Sequence, residues 1–123
     1  MNRILIISSK TNESSELCNN LRRDNISCSI IADLLGGIQE AQEQQFDVIV
    51  LDTRFSGMKI DQAIRLLKRC NLSARIIIQT DNNSRSMETK ARKESIYYYH
   101  LNSFGLQDLI VAIKTALNQQ ANK

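Results

Sequence analysis

Val48-Ile49-Val50-Leu51-Asp52 is the stretch on which the fold turns: an aliphatic run with no polar alternation, ended by an acid. A strand with one wet face alternates apolar and polar residues. A run that is apolar throughout is what a strand covered on both faces requires, and such strands belong to parallel sheets. Ile4-Leu5-Ile6-Ile7 and Ile76-Ile77-Ile78 have the same character. Ile30-Ile31-Ala32 and the aromatic segment Ile96 to Leu101 are more mixed, which suits outer strands.

The stretches between these runs have helical length. Ile60, Ala63, Ile64 and Leu67 fall on one helical face, as do Leu106, Leu109, Ile110, Ile113 and Leu117. Leu17 and Leu21 anchor an earlier helix that Thr11 or Asn12 could cap, with Glu13 and Glu16 near its positive end. Ile38 and Ala41 mark a short polar helix. Between Ser84 and Glu94 only Met87 and Ala91 are apolar, so a helix there is loosely anchored. The alternation predicts an α/β fold, a doubly wound five-stranded parallel sheet with helices on both faces. Right-handed crossovers close it in the order 2-1-3-4-5.

The chain has 123 residues, 42% hydrophobic and 24% charged, with four Gly and no Pro. That is one domain, expected over residues 1–118, followed by a polar tail or linker start over 119–123. A net charge of +3 is too small to argue for nucleic acid or a membrane surface. No aliphatic run approaches the length of a bilayer span or of a signal-peptide core. Cys18, Cys28 and Cys70 are odd in number and widely spaced, so reduced thiols serving as small packing residues of a cytoplasmic protein are expected.

In open parallel sheets ligands bind beyond the carboxyl ends of the strands. The residues there are Ser8 and Ser9, Asp52, Thr80 and Asn102, all polar and each set directly after an apolar run. In the order 2-1-3-4-5 they converge on one pocket.

Phe46 to Asp52, followed by Ser56-Gly57-Met58, resembles the phospho-acceptor segment of response-regulator receiver domains. Ile76-Ile77-Ile78-Gln79-Thr80 is similar to the strand that ends in the family's switch hydroxyl. Tyr99-His100-Leu101-Asn102-Ser103-Phe104 resembles the segment usually written Tyr-x-x-Lys-Pro-Phe. The resemblance covers essentially the whole chain. It implies Asp52 as phospho-acceptor, Thr80 as switch hydroxyl and Tyr99 as the coupled aromatic.

Two elements depart from the pattern. The family's acidic pair, which holds Mg²⁺, is matched by Ser8 and Ser9, and its lysine by Asn102, with Ser103 in place of the proline. Mg²⁺ prefers anionic oxygen ligands, and two serines offer neutral ones. The formal charge of the family site is about −2, against about −1 for Asp52 alone, so any Mg²⁺ binding is expected to be weak. Without proline the peptide before Ser103 is expected to be trans.

Arg54 could neutralise Asp52 without metal, although a solvated loop arginine is the plainer expectation. Asp81 could crowd a phosphoryl group or replace a metal ligand. Capping the next helix, with Asn82, Asn83 and Ser84 as turn residues, is the expectation adopted for it. His100, the one histidine, has no nucleophile or acid at recognisable spacing and is expected to be a packed or half-exposed strand residue. Gly36-Gly37 lacks the pattern of a phosphate loop. Tyr97, Tyr98 and Tyr99 cannot all face one core. Tyr97 and Tyr98, with Arg85 and Lys90, mark an expected partner face on the side receiver domains use for dimers and output partners, formed by the fourth helix, fifth strand and fifth helix.

With the resemblance, these readings imply an atypical cytoplasmic receiver of a two-component phosphorelay. Its partners would be proteins, a histidine kinase or output domain, and it would catalyse at most its own phosphorylation and dephosphorylation at Asp52. A fully phosphorylatable receiver is the alternative. A small-molecule enzyme on a flavodoxin-like fold ranks behind both.

Overall fold

The structure, a computed structural model, describes residues 2–121. Five strands and five helices alternate: β1 (Arg3–Ile7), α1 (Thr11–Arg22), β2 (Ser27–Ile31), α2 (Leu34–Glu43), β3 (Val48–Asp52), α3 (Ile60–Cys70), β4 (Arg75–Thr80), α4 (Arg85–Lys93), β5 (Tyr98–Leu101) and α5 (Leu106–Ala121). A short 3₁₀ turn, Asn102–Phe104, joins β5 to α5. The strands are all parallel, in the order β2-β1-β3-β4-β5. The two mixed segments form the edges, as their composition suggests.

Each strand feeds two cores. Leu5, Ile7, Ile49, Leu51, Ile76 and Ile78 point to one face, beneath α2, α3 and α4. Ile4, Ile6, Val48, Val50 and Ile77 point to the other, beneath α1 and α5. This two-sided burial is why the runs show no alternation. The predicted stripes of α3 and α5 are the faces that pack, and Ala91 is the one fully buried residue of α4. Gly37 serves packing. A Cβ there would lie 2.4 Å from Ile7 Cδ1, so only glycine lets α2 lie this close to β1.

Several local expectations are corrected. Neither Thr11 nor Asn12 caps α1: Lys10 holds the cap position, because its N–H is already bound to Ser8 Oγ at 3.1 Å and Thr11 enters the first turn. Cys18 and Cys28 are joined in a disulfide, with Cα atoms 5.8 Å apart. Cys18 shares the inward stripe of α1 with Leu17 and Leu21, and Cys28 points into the same core from β2. The chain turns back through Asn25 at positive φ and brings the sulfurs together, a proximity the spacing in sequence does not reveal. Cys70 is free and partly buried. The expected tail begins inside α5, which runs through Ala121; positions 122 and 123 lie outside the described residues. The Asn102–Ser103 peptide is trans, as expected.

Asn71, which nothing in the sequence singles out, is fully buried and clamps the end of α3 to the stretch that runs from the end of α2 to β3. Its Oδ1 accepts from Phe46 N at 2.6 Å, and its Nδ2 donates to the carbonyls of Ala41 and, at 3.2 Å, Gln44. Asn71→Ala would strand a buried N–H and carbonyls at the entry to β3. Urea unfolding should show a loss of about 3 kcal/mol, against less than about 1 kcal/mol for the exposed neighbour Leu72→Ala.

Candidate functional site

Where β3 ends, Asp52 emerges at the carboxyl edge with its side chain wholly shielded from solvent. A carboxylate in that position must be paired or fully hydrogen-bonded. Here it is both. Oδ1 accepts from the backbone N–H of Arg54 at 2.9 Å and from Arg54 Nε at 2.9 Å. Oδ2 accepts from Ser8 Oγ at 2.9 Å and from Arg54 Nη2, with Gln79 Nε2 at 3.5 Å. The guanidinium thus folds back over the loop and grips both oxygens in the forked geometry that carboxylates favour.

Arg54 is therefore not the solvated loop residue that was expected. Only about a quarter of its side chain is exposed, and it also binds Asp81 Oδ2 through Nη1 at 3.0 Å and Glu13 Oε2 through Nη2 at 3.3 Å. The hydrogen bond to Asp52 and the surrounding negative charge hold Arg54 protonated above its usual range. Asp81 does not cap α4. That role falls to Ser84, whose Oγ accepts from Met87 N at 3.2 Å. Asp81 instead takes Arg54 on one oxygen and Asn102 Nδ2, at 2.9 Å, on the other. Asn102, standing where the family has a lysine, reaches the site through Asp81.

Ser8 is buried and serves Asp52, while Ser9 is exposed. Thr80 is buried, but its hydroxyl is engaged elsewhere. Thr53 Oγ1 donates to Thr80 Oγ1 at 2.7 Å, and Asn82 N donates to the same oxygen at 3.0 Å. Tyr99 is buried in the core beneath α4, with the Arg92 guanidinium 5.9 Å from its ring centre and its hydroxyl unpartnered. Burial pushes its phenol pKa up. The expected partner-face residues divide between two places. Tyr97 and Tyr98 are half-buried on the α5 side of the sheet edge, in a shallow groove with Val111, whereas Arg85 and Lys90 are exposed on α4.

Gln79 and His100 extend the site in a way the sequence did not suggest. The register pairs Asp52 with Gln79 and Gln79 with His100. With Ser8, just past the end of β1, they form a row of buried polar side chains across the ends of β1, β3, β4 and β5, on the face that elsewhere carries the apolar core of α1 and α5.

The Mg²⁺ implied by the resemblance does not fit these donors. Ser8 is neutral and points its hydroxyl at Asp52, Arg54 occupies both carboxylate oxygens, and among the described residues no three His, Cys, Asp or Glu converge to hold a metal. No helix of the described residues is long and apolar enough to cross a membrane.

No protein-family model and no curated protein matches the chain. Solved structures do. A CheY-like response regulator receiver domain protein from Methanospirillum hungatei superimposes with a TM-score of 0.90 at 18% identity, covering 99% of this chain and 98% of that one. The signal receiver domain of an HD domain-containing protein from Pseudomonas fluorescens gives 0.88 at 20% identity, covering 99% and 98%. A response regulator from Burkholderia pseudomallei, solved with a phosphorylated aspartic acid, gives 0.83 at 19%, covering 99% of this chain and 72% of that one. The fold is that of the response-regulator receiver domains.

Two measurements check the site. In a double-mutant cycle, Arg54→Gln should cost about 1–3 kcal/mol of unfolding free energy, discounted for the exposed part of the guanidinium, and much less when Asp52 is already Asn. Burial lowers the His100 pKa below its ordinary value, so folding favours the neutral ring. Its contribution to stability is full above about pH 6.5 and is lost as the pH falls from there through the folded-state pKa. Chemical unfolding of the wild type and His100→Leu across that window should show the loss in the wild type only.

Proposed function

We propose that the chain is a receiver module that works through protein contacts, with its acceptor carboxylate neutralised by its own arginine rather than by Mg²⁺ and a phosphoryl group. The observation that carries this reading is the forked contact of Arg54 with both oxygens of Asp52.

Phosphoryl acceptance at a carboxylate needs a free oxygen to attack in line, and positive charge to offset that of the incoming group. Arg54, Ser8, Gln79 and one backbone N–H use the lone pairs of both Asp52 oxygens, so neither is free to attack. The positive charge is already spent on Asp52, Asp81 and Glu13. The family lysine is replaced by a neutral amide bound to Asp81. Asp81 adds a negative charge on the approach side, which opposes an anionic donor. Thr80, held by Thr53 and Asn82 N, has no reason to move toward Asp52. In this reading the module has no enzymatic activity of its own, Mg²⁺ binding is weak, and the partner is a kinase or output domain met at the edge formed by α4, β5 and α5, through Tyr97, Tyr98, Arg85 and Lys90. A second copy of the chain is a further candidate for that edge.

The fully phosphorylatable alternative requires Arg54 to swing away and Asp81 to serve as a metal ligand. The two readings part on incubation with a small acyl phosphate, with and without millimolar Mg²⁺, read by intact mass. The wild type should show no phosphoryl adduct under either condition. Stoichiometric, Mg²⁺-dependent modification that Asp52→Asn abolishes would establish the alternative instead.

A further inference from the structure

A cavity of about 200 Å³ opens between α1 and the start of α5, and shares Glu13 with the contacts of Arg54. Leu17, Leu106 and Leu109 continue the apolar α1/α5 interface into its walls, and polar side chains complete them. Gln79 and His100 line it from the sheet, both more than nine-tenths buried, and Nδ1 of His100 has no hydrogen-bond partner. A buried unpartnered imidazole nitrogen is costly, and beside a cavity it marks a place where something else can supply the bond.

The polarity of the walls follows from bonds already assigned. Gln79 uses its Nε2 toward Asp52, which leaves its carbonyl oxygen to accept. Asn102, also on the wall, uses its Nδ2 toward Asp81, with the same result. Glu13 gives one oxygen to Arg54 and keeps the other, and Glu16 adds a second carboxylate from α1. No lysine or arginine stands among the lining residues described. Beside the leucines and one spare N–H on each amide, the polar part of the lining presents acceptors and negative charge, which suits a ligand with N–H donors, positive charge and a short apolar stem. A bare divalent metal is a poorer match, since the carboxylates do not converge with a third ligand.

We propose that this cavity is a binding site for a small organic cation bearing N–H donors, of the ammonium or guanidinium class. The cation sits over Gln79 and His100, with Glu13 and Glu16 at the mouth. In the Nε2–H tautomer, which the proposal requires, Nδ1 of His100 accepts from the ammonium or amidine hydrogens, which also satisfy the amide oxygens of Gln79 and Asn102. The volume admits a group of a few heavy atoms, so the natural ligand is a short amine or the end of a longer one. Because Gln79 also approaches Asp52, occupancy of the cavity is sensed one residue away from the acceptor. The site goes beyond the reading of Asp52 and does not depend on it.

The test is an NMR titration of the ¹⁵N-labelled chain with propylammonium and with methylguanidinium. Tetramethylammonium supplies charge without N–H donors, and 1-propanol supplies neither charge nor an N–H donor. The two N–H cations should give saturable shifts at the Gln79 side-chain amide and the backbone amides of Ser14 and Gly105, with the controls at least tenfold weaker. His100→Leu should weaken the binding at least tenfold. Glu16→Gln, an exposed substitution that leaves the core untouched, should weaken it severalfold and keeps the test valid if His100→Leu does not fold. The proposal is overturned by shifts that do not saturate, by equal response to tetramethylammonium or propanol, or by unchanged affinity in the folded variants.

Discussion

A carboxylate taken wholly out of water must meet a countercharge, and in this molecule Asp52 meets Arg54 two residues further along the same chain. Much of the carboxyl edge is arranged around that pair. Arg54 can grip both oxygens only if the loop after β3 folds back on itself, and its remaining nitrogens then draw in Glu13 from α1 and Asp81 from the turn before α4. Asp81 in turn holds Asn102 at the end of β5. One guanidinium so links the loops that leave β3 and β4 with the start of α1, and through Asp81 with the end of β5. In the receiver pattern these loops are gathered around a metal ion and a phosphoryl group. Here a side chain gathers them.

The architecture was legible because its cause is simple. A strand buried on both faces has no room for polar residues, so Ile4 to Ile7, Val48 to Leu51 and Ile76 to Ile78 announce themselves, and the residues that follow them mark the site's rim. The stripes of α3 and α5 were equally plain. What stayed hidden were contacts made by geometry with no local sequence pattern. Arg54 and Asp81 looked like ordinary loop and cap residues, since nothing in the order of residues says that a guanidinium turns back or that Ser84 takes the cap. Cys18 and Cys28 meet because a helix stripe and a strand face share one core. Asn71 gave no signal at all, being a polar residue at a helix end whose three partners come from another segment.

Gln79 and His100 show where tertiary register adds information that a linear reading lacks. Each sits inside or beside an apolar strand and, taken alone, is a polar interruption. The sheet places them side by side, next to Asp52, so that three separate interruptions become one buried row. Buried polar groups without full satisfaction are expensive, and an apolar pair at these positions would have packed against α1 and α5 at no such cost. Their presence is the strongest departure of this chain from a sheet designed only to fold.

The Arg54–Asp52 pair also bears on time. A phosphorylated carboxylate carries a clock, because hydrolysis ends the state it marks and the interval before hydrolysis is the memory of the signal. A guanidinium from the same chain has no such interval. It neither arrives nor expires, and any exchange between gripping and releasing Asp52 runs at the pace of loop and side-chain motion, roughly nanoseconds to microseconds. On the proposed reading, a module of this kind would keep no record of past stimulation, and what it conveyed would depend on how much of it is present and on what is bound to it at that moment.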